Sequence, residues 1–224
     1  MLSKNQKKNS SKGKRKKSPS GKIKLADAMR QLLENKDFYS ISTDEISTIA
    51  KTNEALIYRY FGDKRGLLHH VLTEYLEQTH NQILEDLKGV KGSLNKLKII
   101  IKDTFEAYSS QKVFAKIILI EVRNFPGYFE SNTFQLVRQY AQMLVDVIKE
   151  GMASGEIRND VPPEAIRSTI IGGVEHIILP SLLFGRNIEP EVFFENLFEV
   201  LLNGIVIQKQ ADVSRVKKAK FVAN

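Results

Sequence analysis

Apolar residues recur at three- and four-residue spacing along most of the chain, and no segment shows sustained two-residue alternation. This is the period of amphipathic α-helices, so we expect an all-α protein with about nine helices. Three short helices precede longer ones, which indicates a small N-terminal unit joined to a larger body. The predicted helices cover residues 22–36, 43–50, 53–60, 64–87, 93–110, 111–124, 131–154, 163–185 and 190–208.

Side-chain patterns predict how the first helices begin and pack. Ser42 or Thr43 can cap the second helix, and Glu45 stands three residues after Ser42, as in a capping box. Asn53 can cap the third helix in the same way. The apolar residues expected to face the core of the first two helices are Ile23, Ala26, Met29, Leu33, Ile46, Ile49 and Ala50.

Charge is distributed unevenly along the chain. Of the 34 Lys and Arg residues, ten lie in residues 1–24 and five in residues 209–224. The segment between them, residues 25–208, has 19 basic and 25 acidic residues and is therefore mildly acidic. We therefore predict a disordered basic tail at 1–21 and a basic C-terminal tail at 209–224. Runs of like charge such as Lys14–Lys17 often contact nucleic acid, although a solubilising tail has the same composition.

Composition excludes several classes of site. The chain has no cysteine, which removes disulfides and thiolate chemistry. The four histidines have no metal-ligand spacing, and no nucleotide-binding glycine motif occurs, so we predict no catalytic residues, no metal and no cofactor. We also expect a cytoplasmic protein with no membrane partner, because no apolar run reaches the length of a membrane span.

The second and third predicted helices are separated by only a few residues around Lys51 and Thr52, which is the spacing of a helix-turn-helix. The sequence from Ile46 to Leu68, ISTIAKTNEALIYRYFGDKRGLL, resembles the signature of the tetracycline-repressor (TetR) family, I-A-x-x-A-G-V-S-x-G-x-L-Y-x-Y-F-x-x-K-x-x-L-L. The matching positions are Ile46, Ala50, Asn53 in place of a serine cap, Ile57, Tyr58, Tyr60, Phe61, Lys64, Leu67 and Leu68.

The resemblance implies an N-terminal DNA-binding domain at residues 22–68 that binds a double-stranded operator. The residues implied in DNA contact are Ser42, Thr43, Asn53, Glu54, Ala55, Leu56, Tyr58, Arg59, Tyr60 and Lys64. Tyr58, Arg59 and Tyr60 offer groups that can contact bases or phosphates, and Lys64 resembles a lysine that contacts the DNA backbone. The family's turn glycine is Lys51 here, which we expect in a left-handed conformation.

The resemblance further implies a body, residues 69–208, that binds a small apolar effector and forms a homodimer through helices 163–185 and 190–208. Candidate ligand-binding residues are polar or large side chains on apolar helices: Tyr108, Ile117, Glu121, Arg123, Tyr140 and His176. Loose similarity to the members that regulate fatty-acid metabolism suggests a fatty acid or acyl-CoA. The implied function is a ligand-responsive transcriptional regulator that represses by binding a palindromic operator.

Two other functions fit parts of the sequence. A nucleoid-type protein would bind DNA through basic tails without sequence preference, so bulk DNA would displace it from an operator as readily as from any other sequence. A helical enzyme is the second alternative, but no group of residues in the sequence indicates a substrate.

Overall fold

The computed structural model describes residues 20–186 and 189–206. The helices are α1 Gly21–Leu33, α2 Thr43–Ala50, α3 Ala55–Phe61, α4 Lys64–Asp86, α5 Ser93–Ser110, α6 Lys112–Lys116, α7 Asn132–Ser154, α8 Pro163–Phe184 and α9 Pro190–Ile205. Within the described residues, the sole β feature is an isolated bridge between Ile157 and Val206. The all-α prediction is confirmed. The predicted tails, residues 1–21 and 209–224, lie outside the described residues except for Ser20 and Gly21.

Internal contacts divide the chain into two units at Leu67 and Leu68, one residue from the boundary predicted from the sequence. In the N-terminal unit, α1 packs against α2 and α3. Two predicted core positions were wrong: Ile23 is 52% exposed and Ile49 is 36% exposed. The other predicted positions of α1, Ala26, Met29 and Leu33, are buried as expected, and the buried face also includes Leu25, Ala28 and Leu32.

The second unit is held together by α5, which packs against α7, α8 and α9. Its core contains fully buried aliphatic side chains and aromatic rings, among them Ile101, Phe105, Ile148, Ile170 and Phe194. Helices α8 and α9 approach closely at Gly173. A Cβ atom there would lie 2.8 Å from Leu197 Cδ1, which explains why a helix-disfavouring glycine stands inside α8.

The prediction of one continuous helix over residues 111–124 was wrong. It is divided into α6, a π-helical turn at Ile117–Glu121 and a 3₁₀ turn at Val122–Asn124. Ile117, Ile118 and Leu119 are buried, so the wide turn lies inside the body and not on its surface. Single π turns of this kind are frequent near functional sites.

Helix α8 corrects one expectation from the sequence. It is long enough and apolar enough to cross a membrane by length and composition, although only 28% of its most apolar 18-residue window is buried. One such helix is weak evidence for a membrane span. Its exposed apolar residues continue onto α9, and the exposed side chains of the two helices are Leu183, Phe184, Val192, Phe193 and Val200.

Candidate nucleic-acid interface and ligand cavity

Helices α2 and α3 form a compact helix-turn-helix. The Ser42 side chain caps α2 by accepting a hydrogen bond from the Glu45 backbone N–H at 3.1 Å. This is the Ser42 half of the predicted capping box. The turn is closed at Lys51, which has φ 50° and ψ 49°, so the predicted left-handed residue is confirmed. Asn53 Oδ1 then accepts from Ala55 N at 2.8 Å and starts α3.

The acidic first turn of α2 is partly neutralised by a neighbouring lysine. Lys36 Nζ donates to the Glu45 carboxylate, and this contact, more than any other, lowers the pKa of Glu45. Ser42 is exposed and Thr43 half-buried at the same end of the helix. The Ser42 hydroxyl accepts from within α2 and keeps its own hydrogen for an outside acceptor such as a phosphate.

Helix α3 buries one side and exposes the other. Ile57 is fully buried against α1, while Ala55, Tyr58 and Arg59 are exposed at the spacing that places them on one helical face. The Tyr58 residue is 54% exposed, so most of its ring is not packed against the rest of the N-terminal unit. These three side chains are the best-placed candidates for contact with base edges in a major groove.

Two other predicted DNA contacts lie beside α1. A Cβ atom on Gly21 would be 3.0 Å from Leu56 Cδ1 and 3.7 Å from Tyr60 Cε2. Leu56 is half-buried, so it serves the packing of α1 on α3. Tyr60 is 41% exposed and its ring lies under the Arg59 guanidinium, 5.9 Å from the ring centroid. Tyr60 is thus placed at the rim of the exposed face. Glu54 is half-buried at the start of α3.

Lys64 has a role that the sequence did not indicate. Its ammonium donates to the carbonyl oxygens of Ile41 at 2.6 Å and Phe38 at 3.1 Å, and it lies 4.5 Å from the centroid of the Phe38 ring. Burial lowers the pKa of Lys64. Two of its three N–H groups therefore fasten the link between α1 and α2 to the start of α4, which leaves one for a DNA phosphate.

The second unit contains a partly open cavity between α4, α5 and α7 with a volume of about 50 Å³. Its walls are mostly hydrocarbon and tyrosine ring, and two of the predicted ligand residues, Tyr108 and Tyr140, are among them. The lining residues are Tyr75, Leu76, Thr79, His80, Ile83, Thr104, Tyr108, Leu136, Val137 and Tyr140.

Four hydroxyl groups of the cavity lining form hydrogen bonds within the protein, those of Tyr75, Thr79, Thr104 and Tyr140. Tyr75 donates to the Ala107 carbonyl at 3.0 Å and Thr79 donates to the Tyr75 carbonyl at 3.0 Å. Thr104 donates to the Ile100 carbonyl at 2.6 Å, so its oxygen accepts from Tyr140 at 2.9 Å. Burial raises the pKa of Tyr75 and of Tyr140 to about 12, and raises that of Tyr108 as well. All three phenols are neutral near pH 7.

The other predicted ligand residues lie outside the lining of this cavity. Ile117 is buried in the π turn, and Glu121 is half-buried 3.9 Å from Lys116. Arg123 pairs with Glu175 of α8 through contacts of 2.7 and 3.4 Å. His176, the next residue, is exposed on α8. Sequence reasoning therefore missed His80 and Glu175, and selected His176, which points away from the body.

A second, more open groove of about 340 Å³ lies between α4 and α5 and shares Tyr75 and Thr79 with the cavity. Its walls carry Asp86, Asp103 and Glu106. Burial and then the charges of Asp86 and Glu106 raise the pKa of Asp103 to about 6. This groove is acidic and repels anions near pH 7.

A helix-turn-helix unit followed by a helical body with an internal cavity defines a DNA-binding regulator with a ligand-sensing domain. Two family models agree with this definition. The model described as bacterial regulatory proteins of the tetR family matches residues 25–71, and the model described as the C-terminal region of YsiA-like proteins matches residues 72–204. The chain belongs to the TetR family, and the protein is a ligand-responsive DNA-binding transcriptional regulator.

Individual relatives are distant in sequence but similar along most of the chain. The fatty acid metabolism regulator protein of Bacillus subtilis is 20% identical over 183 residues, which cover 82% of this chain and 94% of the relative. The structure of the transcriptional regulator FadR from Bacillus subtilis in complex with stearoyl-CoA has a TM-score of 0.73 at 20% identity, with 81% of this chain and 98% of that chain covered. The structure of AibR in complex with isovaleryl coenzyme A and operator DNA has a TM-score of 0.66 at 16% identity, with 82% and 98% covered.

Proposed function

We propose that this regulator is a dimeric repressor that is released from its operator when a long-chain acyl thioester enters the cavity between α4, α5 and α7. The observation that carries the proposal is a cavity with aliphatic and aromatic walls whose tyrosine and threonine hydroxyls mostly bond to the protein itself. Such a cavity suits a hydrocarbon chain. The complexes of FadR with stearoyl-CoA and of AibR with isovaleryl coenzyme A support the thioester class.

The small size of the cavity supports a role in switching. Sites for small molecules usually have volumes of roughly 300–1,000 Å³, whereas this cavity has about 50 Å³. A long chain can enter only if α4, α5 and α7 move apart or their side chains rearrange. The effector therefore binds a widened state more tightly than the closed one, which is the differential affinity that a ligand needs to shift a conformational equilibrium.

The acidic groove constrains how a thioester would bind. Asp86, Asp103 and Glu106 stand beside the Tyr75 edge of the cavity, where they would repel the phosphates of coenzyme A. Arg123, which pairs with Glu175, lies close enough to Tyr108 to affect its pKa and does not line the acidic groove. We therefore place the anionic head group on the Arg123 side, so Arg123 keeps its predicted ligand role through the head group and not through the chain.

The exposed apolar residues of α8 and α9 support the proposed dimer. Phe184 is 72% exposed and Val200 is 71% exposed, and a row of such residues on two adjacent helices is typical of a surface that a partner covers. A two-fold dimer would present two copies of α3 to the two halves of a near-palindromic operator. A regulator of this class acts in the compartment that holds the DNA, which for bacterial regulators is the cytoplasm.

Operator binding in the presence of palmitoyl-CoA tests the proposal. Fluorescence anisotropy of a labelled operator should show at least a tenfold loss of affinity at saturating palmitoyl-CoA and no loss with coenzyme A alone. Val137→Trp fills the cavity and should abolish the response, while Gln139→Trp adds the same ring to an exposed position of α7 and should respond like wild type. An affinity that is unchanged across saturation, with palmitoyl-CoA shown to be bound, would refute the effector model.

A further inference from the structure

One polar atom of the cavity lining is both fully buried and without a hydrogen-bond partner within the described part of the chain. His80 lines the cavity from α4, and its Nδ1 atom is fully buried without a hydrogen-bond partner among the described residues. The hydroxyls of Tyr75, Thr79, Thr104 and Tyr140 all bond to protein groups, as described above. A buried nitrogen without a partner is unfavourable in the folded protein, so such atoms call for an explanation.

We infer that His80 recognises an oxygen atom on the chain of the effector. The inference rests on the proposed function, since it assumes that an acylated chain occupies the cavity between α4, α5 and α7. The surrounding wall is hydrocarbon at Leu76, Ile83, Leu136 and Val137, and His80 Nδ1 is the fully buried polar atom of the described lining that lacks a partner, so we assign to it the distinction between a chain oxygen and a methylene. A bound oxygen atom gives Nδ1 the partner that the protein does not supply.

The chemistry of imidazole admits two oxygen types. With the proton on Nδ1, His80 donates to a carbonyl oxygen, as in a thioester; with the proton on Nε2, Nδ1 accepts from a chain hydroxyl. A site built to bond an oxygen discriminates strongly against the analogue that lacks it, because the buried group of the protein is then left without a partner. The preference should thus fall on oxygen-bearing chains over plain hydrocarbon of the same length.

Isothermal titration of the full-length protein with matched probes tests this inference. The probes are palmitoyl-CoA, the thioether S-hexadecyl-CoA, which lacks only the carbonyl oxygen, and 3-hydroxypalmitoyl-CoA. Wild type should bind at least one oxygen-bearing probe about tenfold more tightly than its analogue without that oxygen, which corresponds to about 1.4 kcal/mol. The palmitoyl-CoA to thioether ratio reports a carbonyl contact, and the hydroxypalmitoyl-CoA to palmitoyl-CoA ratio reports a hydroxyl contact.

Variants at His80 separate recognition from packing. His80→Phe keeps a ring but no nitrogen, and should reduce the preference to about onefold. His80→Asn places its amide near the position of Nδ1 and should retain most of the preference, whereas His80→Gln places its amide near Nε2 and should lose it. If His80→Phe does not fold, the comparison of Asn with Gln decides the question.

Two results would overturn the inference in different ways. If His80→Phe and His80→Gln keep the same preference as wild type, or wild type has none, His80 does not read an oxygen, although the proposed effector class stands. If none of the three probes binds wild-type protein that still binds its operator, the effector class itself fails, and the inference fails with it.

Discussion

Lys64 provides a sharp test because the sequence and the structure assign it different roles. The resemblance to the TetR signature implies a contact with the DNA backbone, whereas the structure places its ammonium on the carbonyl oxygens of Phe38 and Ile41 and against the Phe38 ring. Lys64→Met retains the aliphatic length but removes these contacts. We expect it to destabilise the N-terminal unit as well as to weaken DNA binding.

The magnitude follows from the contacts that are lost. Hydrogen bonds to a charged group contribute about 1.5–3 kcal/mol each when buried, and a cation–π contact about 0.5–1 kcal/mol at an exposed site. Lys64 is half-buried, so water can reach both carbonyl oxygens after the substitution, and the loss should total about 2–3 kcal/mol. With an m-value of roughly 1–3 kcal/mol/M, the urea midpoint should fall by about 1 M.

The assay is urea unfolding followed by circular dichroism, with Lys51→Met as the matched control. Lys51 is exposed in the same unit, and its replacement also removes one positive charge. The control should lie within about 0.5 kcal/mol of wild type, as surface substitutions usually do. Equal midpoints for Lys64→Met, Lys51→Met and wild type would show that the two carbonyl contacts do not stabilise the unit.

Four further predictions follow from single residues. Lys51→Gly relieves a left-handed backbone conformation that costs a non-glycine residue about 1–2 kcal/mol, but glycine loses about 0.5–1 kcal/mol more conformational entropy on folding. Urea unfolding should therefore show a free energy of unfolding that is higher by about 0.5–1 kcal/mol, whereas Lys51→Ala should show no increase. The pKa of Asp103 is raised to about 6 in the folded state, so the folded protein binds this proton more tightly than the unfolded chain, and the free energy of unfolding declines as pH rises from about 4 to 6. Asp103→Asn should therefore become more stable than wild type through that pH window and stay so above it. A difference in urea midpoint that does not change with pH would contradict this. Val200→Glu should give monomers in sedimentation with normal helix content, whereas Leu201→Glu, at a buried position, should unfold the body; a Val200→Glu dimer of wild-type affinity would argue against the α8–α9 interface. Tyr58→Ala should weaken operator binding by about 1–3 kcal/mol with little effect on random DNA, and equal losses on both DNAs would exclude it as a base reader.

Local features were predictable from the sequence because their causes lie within a few residues. The cap of α2 depends on Ser42 and Glu45, and the left-handed residue at Lys51 follows from a turn in which the family has glycine. The exposure of Tyr58 and the burial of Ile57 follow from helical spacing once the two short helices are assigned. The helix-turn-helix and its outward face were therefore within reach of sequence reasoning.

Features that depend on distant contacts were not predictable. The carbonyl partners of Lys64 lie 23 and 26 residues away in sequence. Glu175 and His176 are adjacent in α8 and point in directions about 100° apart around the helix axis, so only one of them can face Arg123. Because most residues of α8 are apolar, the sequence does not show which of the two it is. His80 looks like any polar residue of a long helix until α5 and α7 are packed against it.

The phase of a helix has the same limitation. In α1, three residues of the predicted stripe are buried, Ala26, Met29 and Leu33, but Ile23 at its N-terminal end is exposed. In α2, Ile46 and Ala50 are buried, whereas Ile49 is exposed. Helical spacing finds most of a packed face, but the edge of that face depends on which neighbouring helices cover it.

Whether this protein recognises a specific operator can be measured by selecting bound fragments from the source genome and competing them against random DNA. We expect a recurrent near-palindromic site that the full-length protein binds at least about 10³-fold more tightly than random DNA at physiological salt, with two protomers bound per site. Recovery of unrelated fragments that random DNA displaces as readily as any selected site would instead indicate a nucleoid-type protein that binds DNA without sequence preference.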